Sequence, residues 1–273
     1  MVDRHGVARE ARLYRRFAGA RIRGQMQYKT SFVLQFFGIF LVNGLELATI
    51  FILFRHFETM GGWRAGEIAF LYGLSEMAFG IAKIFGSAFD GFSQQIVRGE
   101  FDRILTRPIS PLLQIFCSDV KLHQFGRFLQ GVIAFGIALR LVDVPWTIGR
   151  AIYLPVVIAS ASVLFTALFT FEATMCFWTT EATEAVNAFT YGGTTMAQYP
   201  LHIFDVWLRR LFLWFIPLGF TIFLPALYLL HKPDPLGLPA FARFVAPVVA
   251  VAFCFVAGFF WRVGVRHYRS TGS

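Results

Sequence analysis

Long apolar runs separated by short polar segments dominate the chain. A helix rises about 1.5 Å per residue, so roughly 20 apolar residues cross the hydrocarbon core of a bilayer. Six runs meet or approach that length, and they cover residues 31–54, 66–89, 112–139, 152–178, 185–203 and 240–263. The run 185–203 gives the weakest signal. The pattern predicts an all-α integral membrane protein with six transmembrane helices in a single transmembrane domain, residues 31–273.

A seventh apolar run, residues 208–230, is interrupted. Pro217 and Pro225 lie within it, and Arg209 and Arg210 stand near its start. Proline removes a backbone hydrogen bond from a helix, and broken helices at membrane depth are tolerated only where protein or a water-filled cavity shields them. The sequence therefore predicts a re-entrant helical hairpin in the region 204–230, before the last span. Seven full crossings are the alternative.

Basic residues indicate the orientation, because short cytoplasmic segments are enriched in Lys and Arg. The segment before the first span holds eight of them, whereas the next turn offers only Arg55 and Arg64. Six crossings then place both termini and the segment 91–111 in the cytoplasm. The connection around Glu181 and Glu184 is cytoplasmic by the same count, although it carries no cation.

The amino-terminal region, residues 1–30, has an amphipathic pattern. At 100° per residue, apolar and aromatic side chains fall on one side and arginines on the other, as in a helix that lies in the membrane interface against lipid. The residues assigned to this interfacial helix are Arg12, Arg15, Arg16, Phe17 and Arg23. A basic tail that only sets topology and an organellar transit peptide are the alternatives.

Composition and charge agree with a membrane protein. The chain is 56% hydrophobic and 15% charged, with a net charge of +9. The cations lie at the edges of the apolar runs, where they set topology and bind anionic lipid headgroups. No nucleic-acid recognition motif accompanies them, so we expect no nucleic-acid partner. Only four of the 25 basic residues are lysines, a bias associated with GC-rich bacterial genes, and we expect a multi-pass protein of the bacterial plasma (inner) membrane.

Motifs for catalysis are absent from the sequence. The three cysteines lie far apart, and the six histidines do not have the spacing of a metal site, so no metal and no disulfide framework are predicted. The GxxxxGK[ST] loop that cradles ATP phosphates does not occur, and neither does GxSxG. An intramembrane enzyme is therefore the least favoured class, and we expect no catalysis by this chain.

Several charged residues fall inside the predicted spans. Each costs about 2.5–3.5 kcal/mol at the bilayer centre on insertion scales, so it should face protein or water. The set comprises Glu46, Glu76, Lys83, Asp119, His123, Arg127 and Glu172. Mutual pairing is one explanation; Asp119, His123 and Arg127 recur every four residues and would share one helical face. A polar lining or proton relay is the other, which makes a proton-coupled secondary transporter the alternative function.

The segment "GEFDRILTRPISPLLQ", residues 99–114, carries charges and prolines between apolar runs. With the residues before it, the segment predicts one short amphipathic helix between two spans, which Pro108 ends. Its apolar side would hold Ile96, Phe101, Ile104 and Leu105, and its outward side Arg98, Asp102 and Arg103. An ordinary loop with an amphipathic turn is the alternative.

This segment, the later "YPLHIFDVWLRRLFLWFIPLGFTIFLPALYLL", the basic amino-terminal helix and the six-span count resemble the permease subunits of ABC-2 type ATP-binding-cassette exporters. The resemblance implies a half-transporter that forms a substrate pathway as a dimer with a second permease subunit, of the same or a related chain. It implies coupling to a separate ABC ATPase subunit. ATP and Mg²⁺ would bind to that partner, and no cofactor is expected on this chain.

The resemblance also assigns roles to residues. It implies that a coupling helix lies within 91–108 and contacts the ATPase. The residues of this ATPase-coupling site are Gly99, Glu100, Phe101, Asp102, Arg103, Arg107 and Pro108. The connection between the fourth and fifth spans is poorly basic, which departs from the family pattern and leaves a second ATPase contact there unsupported.

Overall fold

The structure is a computed structural model that describes residues 27–179 and 182–268 and the single positions 19, 23 and 24, with the side chains of 182–189 left out. This part of the chain is helical and has no β-strand, which confirms the predicted all-α class. Of the predicted interfacial helix, Arg12, Arg15, Arg16 and Phe17 lie outside the described residues. Arg23 is helical and exposed.

The helices begin and end as follows. The first half of the described chain contains α1 (Lys29–Leu53), α2 (Ala65–Gly86), α3 (Phe92–Val97), α4 (Glu100–Leu105), α5 (Pro111–Ser118) and α6 (Phe125–Leu141). The second half contains α7 (Ile148–Met175), α8 (Ala182–Ala197), α9 (Val206–Phe215), α10 (Gly219–Leu229) and α11 (Ala246–His267). Short 3-10 turns fill several of the gaps, at Ser87–Gly91, Leu122–Gln124, Leu201–Ile203 and Ala240–Phe244.

Four helical stretches among the described residues are long and apolar enough to cross a membrane. They are α1, the continuous stretch Ala65–Val97 that contains α2 and α3, α7, and α11. The pair α9 and α10 is bent by 80° at Pro217 and would count as a fifth. The bend lies in the predicted region 204–230 and has the proline as its physical cause.

The predicted span 112–139 is not one helix, which corrects the sequence-based prediction. It is divided into α5, of 8 residues, and α6, of 17 residues, with an extended residue, Asp119, at the end of α5. Lys121 in the gap lies 3.8 Å from the carboxylates of both Asp119 and Asp90, so the charged groups turn toward each other instead of continuing an apolar helix. The predicted span 185–203 corresponds to α8, which has 16 residues and ends at Ala197.

Helix α2 is the centre of the bundle and packs against α6, α7 and α8. Glycines allow a close approach to α6. A Cβ atom at Gly131 would lie 2.6 Å from the backbone nitrogen of Met77, and one at Gly73 would lie 2.8 Å from that of Phe135. By contrast, α1 and α11 leave broad apolar faces exposed, as helices do that face lipid.

The connections divide between two ends of the bundle. At one end, His202 Nε2 lies 2.8 Å from the Gly61 carbonyl oxygen, and Lys232 Nζ lies 2.6 Å from Glu67 Oε2. At the other end, the segment between α2 and α5 packs against the last turns of α7 and α11. That segment is the candidate functional site.

Candidate functional site

The candidate site is the segment 87–111, which the helix ends hold in a defined shape. Helices α3 and α4 meet at Gly99, whose φ of 66° is a left-handed conformation that glycine adopts without steric cost. The chain therefore forms two short helices here instead of the single predicted one. Helix α4 ends at Leu105, ahead of Pro108, because a residue that precedes proline is disfavoured in helical conformation and Arg107 occupies that position.

The inner face of the segment is built on Phe101, whose side chain is fully buried. Its ring lies between 4.9 and 6.4 Å, centroid to centroid, from four other aromatic rings. With Phe101, these residues form what we call the inner aromatic cluster: Phe92, Phe101, Phe177, Trp261 and Tyr268. The cluster joins the segment to the ends of α7 and α11, which are far away in sequence.

The outer face of the segment is basic. Arg98, Arg103 and Arg107 are exposed, as are Pro108 and Leu105. Three cations around an apolar tip form a surface suited to an acidic partner with an apolar cleft.

Asp102 does not point outward as the sequence pattern predicted. It is half-buried and lies beside Tyr268 at the end of α11, while Gly99 and Glu100 are half-buried as well. Burial, together with the neighbouring Asp102 carboxylate, raises the pKa of Tyr268 to about 12. A carboxylate has this effect because it stabilises the neutral phenol relative to the phenolate.

Gln114 on α5 holds the end of the segment that lies nearest to α5. Its Nε2 donates to the carbonyl oxygens of Ile104, at 3.0 Å, and Ile109, at 2.9 Å. These bonds tie α5 to the end of α4 and to the loop that follows it. Sequence reasoning missed Gln114, Phe177, Trp261 and Tyr268, since no local pattern indicates which distant residues meet.

Two of the predicted polar-lining residues form a buried ion pair. Arg127 of α6 donates from Nε to Glu76 Oε2 at 2.5 Å and from a terminal nitrogen to Oε1 at 2.7 Å. Gln198 at the end of α8 also donates to Glu76 Oε1, at 3.0 Å. Glu76 is fully enclosed, so this bidentate arrangement provides the compensation that a buried carboxylate requires.

Lys83 and Glu172 occupy a second polar region. Lys83 Nζ pairs with Asp90 at 2.5 Å and lies 4.3 Å from the ring centroid of Phe169. Glu172 accepts a hydrogen bond of 3.0 Å from the Thr190 hydroxyl. Both side chains are buried, and each has a partner within the bundle.

The remaining polar-lining residues are less enclosed. Asp119 pairs with Lys121, and His123 lies half-buried in the turn before α6. Because the chain is broken there, Asp119, His123 and Arg127 do not share one helical face, which corrects that prediction. Glu46 on α1 is exposed and has no hydrogen bond or ion pair among the described residues. Those residues also contain no group of three His, Cys, Asp or Glu side chains placed to hold a metal ion.

Comparison with known proteins gives one match. The model of a family described as "ABC-2 family transporter protein" matches residues 40–272 of the chain. No curated protein and no solved structure matches it. The matched range extends from the middle of α1 past the end of α11 and includes the whole segment 87–111.

Proposed function

Because the chain belongs to the ABC-2 transporter family, we propose that it is the permease subunit of an ATP-driven exporter, coupled to a separate ATPase. The observation that carries the proposal is the segment 87–111. It presents three exposed arginines on one side and inserts a fully buried Phe101 on the other. A segment built in this way can bind a partner outside the bilayer and transmit its movement to the membrane helices.

The proposed topology has six crossings, with both termini in the cytoplasm of a bacterium and the chain in the inner membrane. The stretches α5–α6 and α8 would be the third and fifth crossings, and α9–α10 would be re-entrant on the outer side. Two observations support this arrangement. The end of α8 approaches the loop after α1 through His202 and Gly61, and the break at Asp119 lies near Asp90 at the opposite end.

The partners follow from the same proposal. The ATPase would bind ATP and Mg²⁺, and the exposed apolar faces of α1 and α11 would contact lipid and a second permease subunit. Residues Gly99, Glu100, Phe101, Asp102, Arg103, Arg107 and Pro108 would form the coupling site, with the arginines on the ATPase side and Phe101 on the membrane side.

The test is affinity purification of the tagged chain from its native membrane in mild detergent. We expect a stoichiometric soluble subunit with a GxxxxGK[ST] loop to co-purify. The double variant Arg103→Glu/Arg107→Glu should lose that subunit and still insert in the membrane. Arg140→Glu is the matched control, since Arg140 is an exposed arginine at the far end of α6. Recovery of the chain alone, under conditions that preserve known transporter complexes, would contradict the proposal.

One observation favours a second candidate, a proton-coupled secondary transporter. Glu46 is an exposed acid in the apolar helix α1, and a carboxylate at membrane depth needs water, a cation or a proton. Transport that survives the removal of ATP, but not the loss of the proton gradient or the change Glu46→Gln, would support this candidate.

A further inference from the structure

A second aromatic group lies at the other end of the same helices. Tyr153 of α7, Tyr228 of α10 and Phe244, just before α11, have ring centroids 4.7 to 5.7 Å apart. The Tyr153 hydroxyl also donates to the Arg243 carbonyl oxygen at 2.6 Å. We call these three rings the outer aromatic cluster. It joins α7 and the start of α11 to the bent pair α9–α10.

Between the two clusters, α7 and α11 are packed along their length. The rings of Phe171 and Phe260 are stacked at 4.5 Å. Near the inner end, a Cβ atom at Gly264 would lie 2.6 Å from the Phe177 ring, so this ring packs directly on the α11 backbone. Protein interiors packed in this way transmit displacement instead of absorbing it, because side chains have few free rotamers and few voids.

The segment 87–111 packs against this helix pair as closely as α7 and α11 pack against each other. Phe101 is wholly buried, and Phe92 on the neighbouring helix α3 contacts both Phe177 and Trp261, at 5.5 and 5.4 Å. The Asp102 carboxylate also lies beside Tyr268 on the same side of the segment. The segment therefore cannot move far without moving the inner ends of α7 and α11.

We propose that α7 and α11 act as one rigid lever that carries displacement of the segment 87–111, through the inner and outer aromatic clusters, to the bent pair α9–α10. The lever rests on the proposed function, because a nucleotide-driven partner must displace the segment. The lever adds to that function a statement of what moves: the bent pair α9–α10 changes position when the segment 87–111 is displaced. The first turn of α10 contacts both α7 and α11, so movement of the helix pair can reach α10 directly as well as through the outer aromatic cluster.

The test measures two distances by electron paramagnetic resonance in the complete complex with its ATPase, reconstituted in lipid nanodiscs. The native cysteines at positions 117, 176 and 254 are first replaced by alanine. One pair of spin labels, at Phe125 and Arg262, reports the inner end of α11 relative to α6. A second pair, at Leu141 and Trp214, reports α9 relative to the outer end of α6; these four positions are exposed.

We expect both distances to shift when ADP and vanadate trap the wild-type complex. Phe101→Ala should abolish both shifts, and the milder Phe101→Leu, which keeps apolar volume without a ring, should reduce both. Tyr228→Leu should retain the inner shift and reduce the outer one, because it weakens the outer aromatic cluster and leaves the contacts of the first turn of α10. Phe116→Ala is the control and should retain both, because Phe116 packs on Phe89 instead of the inner cluster.

This pattern separates transmission from a merely structural role, since a general loss of packing would not reduce one shift and leave the other unchanged. An undiminished outer shift in Tyr228→Leu, or two full shifts in Phe101→Leu, would overturn the lever. The absence of any shift in a wild-type complex with bound nucleotide would also overturn the lever, whereas failure of any ATPase subunit to assemble with the chain would overturn the proposed function itself. The two failures are therefore distinguishable.

Discussion

At the scale of residues, the buried ion pair between Glu76 and Arg127 is the most consequential polar contact. It joins α2 to α6 across 51 positions of sequence and lies in the enclosed part of the bundle. Burying two charges is expensive, and their attraction offsets this cost only when the geometry is good and the remaining lone pairs are satisfied. Gln198 supplies that additional hydrogen bond.

The variant Arg127→Met should therefore destabilise the protein strongly. It leaves the Glu76 carboxylate buried without its cation, a change that typically lowers the free energy of unfolding by about 3–5 kcal/mol. The measurement is detergent-induced unfolding followed by tryptophan fluorescence. The double variant Glu76→Leu/Arg127→Met should lose much less, and Arg140→Met, at an exposed site, should change little. Equal losses in the single and double variants would contradict this account.

The ionisation of Tyr268 should make the stability of the folded protein depend on pH. Its pKa is raised to about 12, so the folded chain favours the neutral phenol more than the unfolded chain does, where the pKa is about 10. The resulting stabilisation is fully present below pH 10 and is lost as the pH rises from about 10 to about 12. Phenolate absorbance of the wild type, minus that of Tyr268→Phe, isolates the titration. Asp102→Asn should lower this pKa, and an unchanged titration in that variant would exclude Asp102 as a cause.

At the scale of elements, glycines set the distance between α2 and α6. Gly131→Ala should destabilise the pair, because the new Cβ atom would meet the backbone of α2 at 2.6 Å and neither backbone can move without disturbing the other. Overpacking of this kind costs about 1–3 kcal/mol. Gly136→Ala on the same helix is the matched control, since nothing lies within 4 Å of its Cβ position and alanine favours the helix. Thermal unfolding of both variants makes the comparison.

The observed helices also show which elements can be predicted from the sequence. Apolar runs predict α1, α2, α7 and α11 to within six residues at each end, because bilayer thickness alone requires their length. Hydropathy does not predict the break at Asp119, where an ion-pair network with Asp90 and Lys121 competes with helix continuation. The two-helix shape around Gly99 was missed because a left-handed glycine in the middle of a short amphipathic pattern leaves the pattern unchanged.

Within the candidate site, the sequence predicts the exposed side better than the buried one. The position of Arg103 and Arg107 on the outer face follows from charge alone. The placement of Asp102 against Tyr268 does not, since the last helix lies more than a hundred residues away and tertiary contact decides the outcome. Whether these residues couple to an ATPase stays a prediction.

At the scale of the whole molecule, the two-ended arrangement of the loops makes a labelling prediction. Cysteines introduced at Glu58, Asp143 and Pro235 should react with a membrane-impermeant maleimide in intact cells. These positions are exposed in the connections after α1, α6 and α10. A cysteine at Arg107 should react only after the cells are permeabilised. Reaction at Arg107 in intact cells would reverse the proposed orientation.

The central position of α2 has a consequence for biogenesis. This helix leaves the ribosome carrying Glu76, but Arg127 is made 51 residues later. At about 5–20 residues per second, the acid waits for several seconds before its cation exists. We expect α2 to remain beside the insertion machinery during that interval. Nascent chains truncated before Arg127 should thus crosslink to the translocon, whereas chains extended past α6 should be released from it; release of both would show that α2 enters lipid unaided.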